Sequence, residues 1–312
     1  MSIKTSLKSA FPFLNGITTK PALYREKFKY LGSPKQSGDA FNSWMAEQVK
    51  KEEPTCVCRL GSVELSALRH YIEYEGYSKD NDSVGVLNNL FNNAGVYPNE
   101  PTSFNAFAKT YLNDLPLADL VGIWYNPGER ATLEQYAPCA HFTELQNLEP
   151  YYFNQSWLNS AKGKRFLIIT PFIKTARSQV AQLKAIWPQY KGLFHEAAFE
   201  FIKAPAHAAM VTPSHLNWST ALDALKAQMD TIDYDVLIVG AGAWGLPLAV
   251  HAKRTGKIGY HLGGSTQLLF GIKGKRWDTH PIISKLYNDH WVRPYESEIP
   301  KKANLVEEGC YW

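Results

Sequence analysis

The stretch DYDVLIVGAGAWGLPLAVHA, Asp233 to Ala252, constrains the fold more than any other part of the sequence. Its apolar run Asp235–Val239 predicts a buried strand, and a helical pattern follows. Between the two, Gly240, Gly242 and Gly245 have the spacing G-x-G-x-x-G. This strand–turn–helix unit is typical of dinucleotide-binding domains, because glycines allow a tight turn and a close approach of a phosphate to a helix N-terminus. The stretch therefore predicts an α/β fold.

A second unit of this kind lies early in the chain. Thr55–Arg59 reads as a strand, Gly61 as a tight turn, and Ser62 as the N-cap of a helix. Cys56 and Cys58 stand two apart on one face of this strand, which indicates a core position.

A third unit consists of a strand at Arg165–Ile169 and a helix that begins near Thr175 and ends at Pro188. The remaining predicted elements are helices at Gly38–Lys51 and Ser219–Met229, a strand in LADLVGIWYNPGER that ends in a turn at Pro127–Gly128, and a strand in GKIGYHLGG. Alternating strands and helices predict a Rossmann-like α/β fold, with a mostly parallel sheet and helices on both faces. The strand-to-helix turns would then lie on one rim of the sheet, where such folds bind ligands.

Composition and charge narrow the class of protein. The chain has 312 residues, 45% of them apolar and 20% charged, and a net charge of +4. We read neither a signal peptide nor a membrane span, and four scattered cysteines without metal-binding spacing favour the cytoplasm. The sequence has no dense stripe of lysines and arginines of the kind that indicates nucleic-acid binding.

The first 37 residues carry seven lysines and arginines against Glu26 as their one acidic residue. Aromatic side chains are interleaved with these charges. The segment either packs on the main domain as a solvated arm or makes a peripheral contact with anionic lipid headgroups at the inner face of the membrane. We expect residues 1–50 to form a basic N-terminal segment that packs on a main Rossmann-like domain of residues 51–312.

The surroundings of the glycine motif do not match a dinucleotide site. Dinucleotide folds place an acidic residue about 20 positions further on to hold the ribose hydroxyls, but the sequence has none between Gly245 and Asp278. The corresponding strand end, YHLGG, carries His261 and Gly263. The motif is also too late in the chain to begin a complete dinucleotide fold. It indicates either a phosphate-binding turn or a turn that the glycines need for packing alone.

The turn after the strand Arg165–Ile169 holds Thr170, Phe172, Lys174 and Arg177. Two cations three residues apart at a helix start would suit a diphosphate, and Phe172 would stack on a base. A solvated first turn is the alternative.

In the second unit, Arg59 closes the strand and Glu64 lies in the first helical turn. These two either form a structural ion pair or serve chemistry, with the carboxylate orienting sugar hydroxyls, holding a divalent ion or acting as a base.

The order Arg59-Leu-Gly61-Ser62-Val-Glu64, together with the late glycine-rich turn, resembles the GT-D class of bacterial glycosyltransferases. Their R-x-G-D-x-E-like element follows the first strand of a Rossmann-like fold, and the resemblance covers roughly residues 50–275. The family's Asp position is Ser62 here, and a hydroxyl is a poor ligand for Mg²⁺ or Mn²⁺.

The resemblance implies transfer of a sugar from a nucleoside diphosphate sugar, with a UDP-sugar favoured, to a glycan or lipid-linked glycan in surface polysaccharide biosynthesis. Glu64 and Arg59 are the predicted catalytic residues. The predicted nucleotide-sugar-binding residues are Gly61, Ser62, Thr170, Phe172, Lys174, Arg177, Gly240, Gly242, Gly245, Gly263, Gly264 and Arg276. The competing hypotheses are an NAD(P)- or FAD-binding oxidoreductase and a non-catalytic protein that binds a nucleotide or a sugar phosphate.

Overall fold

The computed structural model describes residues 35–190, 196–205, 213–305 and 307–312. They contain one eight-stranded sheet in the order β1-β4-β3-β2-β8-β7-β5-β6. Its strands are β1 (Lys35–Gln36), β2 (Thr55–Arg59), β3 (Leu120–Ile123), β4 (His141–Glu144), β5 (Arg165–Thr170), β6 (Ala198–Lys203), β7 (Val236–Val239) and β8 (Ile258–His261). Every pairing in this sheet is parallel, so all the carboxyl ends lie on one rim.

Eleven α-helices occur in the described part of the chain. They are α1 (Gly38–Lys51), α2 (Ser62–Tyr74), α3 (Val86–Asn89), α4 (Pro101–Asp114), α5 (Glu129–Tyr136), α6 (Ile173–Gln179), α7 (Leu183–Ile186), α8 (Trp218–Asp230), α9 (Gly245–Arg254), α10 (Thr266–Leu269) and α11 (Lys275–Asp278). None of the helices in the described ranges is long and apolar enough to cross a membrane.

The helices cover both faces of the sheet. One core contains apolar side chains of α2, α4, α8 and α9. The other contains side chains of α1, α6 and α7 and the chain that follows β8. The alternating residues of β5 divide between them, with Leu167 in the first core and Ile168 in the second. This two-sided burial explains why the central strands are almost continuously apolar.

The connections reverse direction between β5 and β7. From β5 the chain runs through α6 and α7, on one face, to β6 at the edge. From the neighbouring β7 it runs through α9, on the other face, towards β8. The two strands are paired as far as Ile169 and Val239. Because the chain leaves two adjacent strands in opposite directions, a crevice forms outside their carboxyl ends.

The predicted α/β fold with a parallel sheet and helices on both faces is confirmed. The strand Thr55–Arg59 and the helix Gly38–Lys51 have the predicted bounds, and Cys56 and Cys58 are buried as expected. The glycine-rich stretch begins with β7 and continues as α9. α1 packs into the second core, so the predicted domain boundary at residue 50 falls near the end of a helix that belongs to the sheet's packing. Most of the basic N-terminal segment lies outside the described residues.

Three local predictions were wrong. Gly61, not Ser62, is the N-cap of α2, and the Glu64 side chain occupies the space that a Cβ on Gly61 would need. The helix expected from Thr175 to Pro188 begins earlier and is divided into α6 and α7, and buried Gln179 at the break donates to the carbonyls of Phe270 and His290. The strands β1, β4 and β6 were not predicted.

Candidate functional site

A cavity of about 240 Å³ opens at the crevice between β5 and β7. Its lining includes predicted site residues from the turns after the strands, four aromatic residues, and residues 297–300. The predicted ones are Thr170, Phe172, Gly240, Gly242 and Gly264, and the aromatic ones are Phe172, Trp244, Tyr311 and Trp312. The cavity therefore lies at the rim where the parallel sheet was expected to bind a ligand.

The three glycines of the G-x-G-x-x-G motif are required by the protein's own packing. A Cβ on Gly240 would lie 2.5 Å from the carbonyl oxygen of Gly263, and one on Gly242, whose φ is +49°, would lie 2.9 Å from the carbonyl oxygen of Ala94. A Cβ on Gly245 would overlap the ring of His261. Packing thus explains each of these glycines without a pyrophosphate.

The start of α6 is capped by an acidic side chain of the protein. The carboxylate of Glu298 accepts hydrogen bonds from the backbone N–H groups of Lys174, at 2.6 Å, and Thr175, at 3.0 Å, and from the Thr175 hydroxyl at 2.5 Å. The predicted phosphate-binding turn therefore already faces an anion. Arg177 is exposed, and its guanidinium lies 5.6 Å from the ring centre of Phe201. Neither Lys174 nor Arg177 lines the cavity.

Glu298 belongs to a C-terminal segment, residues 295–312, that forms one wall of the cavity. Within it, the Trp312 indole N–H donates to the carbonyl of Glu298 at 3.1 Å. The backbone N–H of Tyr295 donates to the Thr175 hydroxyl at 2.9 Å. These bonds hold the described part of the segment against the start of α6.

Two predicted residues, Arg59 and Glu64, lie at and just after the carboxyl end of β2. Together with Trp124 and Glu149 they form what we call the Arg59 cluster. The Arg59 guanidinium lies 4.4 Å from the ring centre of Trp124 and donates to the carbonyl of Leu262 at 3.3 Å. Burial lowers the pKa of Arg59, whereas the charges of Tyr311, Glu149 and Glu64 raise it. Glu64 is thus close enough to act on Arg59 electrostatically, as the predicted pairing requires.

The chain after β3 adds hydrogen-bond donors to the Arg59 cluster. The carboxylate of buried Glu129 accepts from the backbone N–H groups of Trp124 and Asn126, which fixes the conformation of this turn. The Trp124 Nε1 and Asn126 Nδ2 atoms are buried and have no hydrogen-bond partner within the described residues. An unpartnered N–H on the ring that packs against the Arg59 guanidinium, with a second unpartnered N–H two residues further along the chain, favours an anion or a hydroxyl-rich ligand.

The turn Gly263–Ser265 lies between the Arg59 cluster and the cavity. A Cβ on Gly263, whose φ is +71°, would lie 2.9 Å from the Arg59 guanidinium, and one on Gly264 would lie 2.5 Å from the Tyr311 ring. The Ser265 hydroxyl donates to the Glu149 carboxylate at 2.8 Å. Both regions therefore share this turn.

His261 is the last residue of β8 and lies close enough to Arg59 to be affected by its positive charge. Burial, with a smaller contribution from the positive charge of Arg59, lowers the pKa of His261 to about 3. Its ring is therefore neutral at physiological pH, and its Nδ1 has no partner among the residues described.

The remaining predicted residues lie at the border of this rim. Ser62 is exposed in the first turn of α2. The Arg276 guanidinium lies 5.0 Å from the ring centre of Tyr311. Its positive charge contributes to lowering the pKa of Arg59. No group of three or more His, Cys, Asp or Glu side chains suited to a metal ion occurs within the described ranges.

Sequence reasoning missed several residues of this rim. Trp124 and Asn126 directly follow a predicted strand, so the rule that ligands bind at the carboxyl ends of parallel strands could have found them. Thr266, Gln267 and Trp312 follow β8 at increasing distance in the chain, and no local pattern distinguishes them.

The sequence matches no protein-family model and no curated protein. Among solved structures, the chain is similar to one titled "Selenomethionine substituted structure of domain of unknown function 1792 (DUF1792)". The two share 14% identity and a TM-score of 0.38 over 81% of this chain and 96% of that chain. This likeness is too remote to carry a function from that domain to this chain.

Proposed function

We propose that the protein binds a nucleoside diphosphate sugar at the carboxyl rim of its sheet. The observation that carries this proposal is the adjacency of two complementary regions across the turn Gly263–Ser265. On one side, the Arg59 cluster offers a guanidinium and the unpartnered Trp124 N–H, and Asn126, two residues further along the chain, adds a second unpartnered N–H. On the other side lies a cavity with aromatic walls. An anionic diphosphate suits the first region and a planar base suits the second.

Within this class, the activity we propose is glycosyl transfer to a glycan or lipid-linked glycan, in surface polysaccharide biosynthesis on the cytoplasmic side of the membrane. The resemblance of Arg59–Glu64 to the GT-D element supports this finer assignment. In the reaction, an acceptor hydroxyl attacks the anomeric carbon, and the bond from that carbon to the phosphate oxygen breaks. The nucleoside diphosphate leaves with the electron pair, and the acceptor proton passes to Glu64 as general base.

Charge stabilisation is the role proposed for Arg59. Negative charge grows on the diphosphate as the glycosidic bond breaks, and a positioned guanidinium stabilises that charge in a partly buried site. The stacking of Arg59 on Trp124 and its hydrogen bond to Leu262 fix its orientation before the ligand arrives. We expect Trp124 Nε1 and Asn126 Nδ2 to add hydrogen bonds to the phosphate or sugar oxygens.

A divalent cation fits this site poorly. The Glu64 carboxylate acts on a nearby guanidinium, and Ser62 supplies only a neutral hydroxyl, whereas Mg²⁺ and Mn²⁺ favour several anionic oxygen ligands. We therefore assign no step of the reaction to a metal.

The test is sugar transfer by the purified protein from a panel of UDP-, GDP- and dTDP-sugars, measured by release of the nucleoside diphosphate and by mass spectrometry of a glycan acceptor. Glu64→Gln keeps the shape of the side chain but removes the base, so we expect turnover to fall by about 10²–10⁴-fold. Glu73→Gln, an exposed change in the same helix, is the matched control and should leave turnover unchanged.

A thermal-shift comparison separates this proposal from a redox function. Nucleoside diphosphates should raise the melting temperature, and NAD(P) and FAD should not. Stabilisation by NAD(P) or FAD alone, or full turnover by Glu64→Gln, would contradict the proposal.

A further inference from the structure

The side-chain amide of Gln267 has an orientation that its surroundings determine. The residue is 2% exposed, and its Nε2 lies within hydrogen-bond distance of three backbone carbonyls: Ile272 at 3.2 Å, Lys273 at 3.3 Å and Tyr311 at 3.1 Å. The opposite orientation would place the amide oxygen against these three oxygens. The nitrogen must therefore face the carbonyls, and Oε1 must point the other way.

That orientation leaves an acceptor without a donor. Gln267 Oε1 and the neighbouring Thr266 Oγ1 are both buried, and neither has a hydrogen-bond partner within the described part of the chain. Thr266 is 1% exposed. Both residues line the cavity. Because a buried polar atom without a partner destabilises the fold, two adjacent ones at a cavity indicate a ligand that completes their hydrogen bonds.

The other walls of the cavity indicate the shape of that ligand. Phe172 and Trp244 are buried residues of the lining, and Trp312 approaches from the C-terminal segment, 6.1 Å from Phe172 between ring centres. Aromatic walls favour a flat ring. The amide oxygen requires an N–H or O–H donor, and the hydroxyl pairs with either a donor or an acceptor.

We propose that this cavity binds the nucleobase of the donor, with Gln267 as the residue that selects a base N–H and Thr266 bonding the adjacent polar atom of the base. The inference rests on the proposed function, because the diphosphate would lie across the turn Gly263–Ser265 at the Arg59 cluster. A nucleobase combines the required features: a flat ring, an N–H donor and an acceptor next to it.

The experiment uses nucleosides, so that it does not depend on sugar transfer. The dissociation constants of uridine, guanosine and adenosine are measured with the full chain by calorimetry. Each is compared with an analogue that lacks the N–H: N3-methyluridine, N1-methylguanosine and N6,N6-dimethyladenosine. For the nucleoside that binds, we expect methylation to weaken binding at least about tenfold, because Gln267 Oε1 loses its donor and meets a methyl group.

A protein variant provides a second measurement. Thr266→Val keeps the side-chain shape and removes only the hydroxyl, and it should weaken binding of the parent nucleoside about tenfold. Thr231→Val, at the exposed end of α8, is the matched control and should not change it. Gln267 is left intact in the test, because its amide also anchors three backbone carbonyls.

The outcomes separate the two proposals. Binding that is weakened by methylation and by Thr266→Val supports the base pocket, even if no donor sugar is transferred. Transfer from a nucleotide sugar together with equal binding of parent and methylated nucleosides overturns the base pocket and leaves the transferase assignment standing. Failure of every nucleoside to bind also overturns it.

Discussion

A neutral histidine beside an arginine is the most unusual ionisation state at this rim. His261 is buried behind Arg59, and the absence of a side chain at Gly245 provides the space for its ring. Protonation would place a second positive charge next to the guanidinium without solvent to screen it. The fold therefore excludes the charged form, which the unfolded chain takes up at the ordinary pKa of 6.5.

This difference predicts a loss of stability in acid. Because the folded pKa is about 3, the full stability is present above 6.5 and decreases as the pH falls from 6.5 towards 3. The His261 contribution should lower the free energy of unfolding by about 2 kcal/mol between pH 7 and pH 5. Chemical denaturation of His261→Gln should show a smaller pH dependence than the parent protein. The exposed His215→Gln is the control; identical pH profiles for parent and His261→Gln would contradict the prediction.

Individual residues also show where sequence reasoning succeeds. Arg59, Gly61 and Glu64 could be predicted to share a strand-to-helix turn, because strand, turn and first helical turn are local patterns. The role of Gly245 as the space for His261 could not, since the His261 ring meets Gly245 only when α9 packs against β8. The orientation of the Gln267 amide depends on the local fold of residues 272 and 273 and on the carbonyl of Tyr311, 44 residues away, and was equally inaccessible.

At the scale of elements, the C-terminal segment has the clearest structural role. Glu298 caps α6 from 123 residues further along the chain, and the carboxylate supplies the acceptors that the helix start lacks. A sequence gives no sign of such long-range pairing. The cations at Lys174 and Arg177 suggested an external anion at this turn, but the fold provides its own.

Removal of this cap should loosen the segment. We expect Glu298→Ala to lower the free energy of unfolding by about 1–2 kcal/mol, because two backbone N–H groups and the Thr175 hydroxyl lose a charged acceptor. Limited proteolysis should then cut the segment faster. Glu296→Ala changes an exposed carboxylate two residues away and serves as the control. Equal stability and equal cleavage of the two variants would contradict this role of Glu298.

The missed strands have physical explanations at the same scale. β4 has one fully buried residue, Thr143, and begins with exposed His141, so it lacks the apolar run that marks the other four-residue strands. β6 lies at the sheet edge, and its first three residues are not fully buried, which weakens the hydrophobic signal. Pairing with a neighbouring strand, rather than local sequence preference, determines both.

At the scale of the whole molecule, the described residues form one sheet with a core on each face. Asp119, just before β3, accepts hydrogen bonds from the Cys56 backbone N–H and from Lys253 of α9, both at 2.7 Å. This links the β2–β3 pair to the helix that packs across the centre of the sheet. These hydrogen bonds lie at the amino ends of β2 and β3, opposite the rim that holds the cavity.

Amide hydrogen exchange should differ between the central strands of the sheet and the C-terminal segment. We expect β7 and β8, which are buried on both faces and paired on both sides, to exchange at the slowest rates in the described structure. Residues 296–305 should exchange much faster, since they form short 3₁₀ turns at the surface. Mass spectrometry of peptides from both regions tests the expectation, and similar exchange rates in the two would contradict it.

The unpartnered atoms at the rim also give the site a polarity. The unpartnered N–H of Trp124 stands beside Arg59, whereas the unpartnered Gln267 oxygen stands at the cavity, whose wall also includes Glu298, the acidic cap of α6. A molecule with negative charge at one end only would be attracted in one direction and repelled in the reverse one. The rim would thus bind such a molecule in one orientation. A molecule with a phosphate at each end would place one phosphate against the acceptor oxygens of the cavity side.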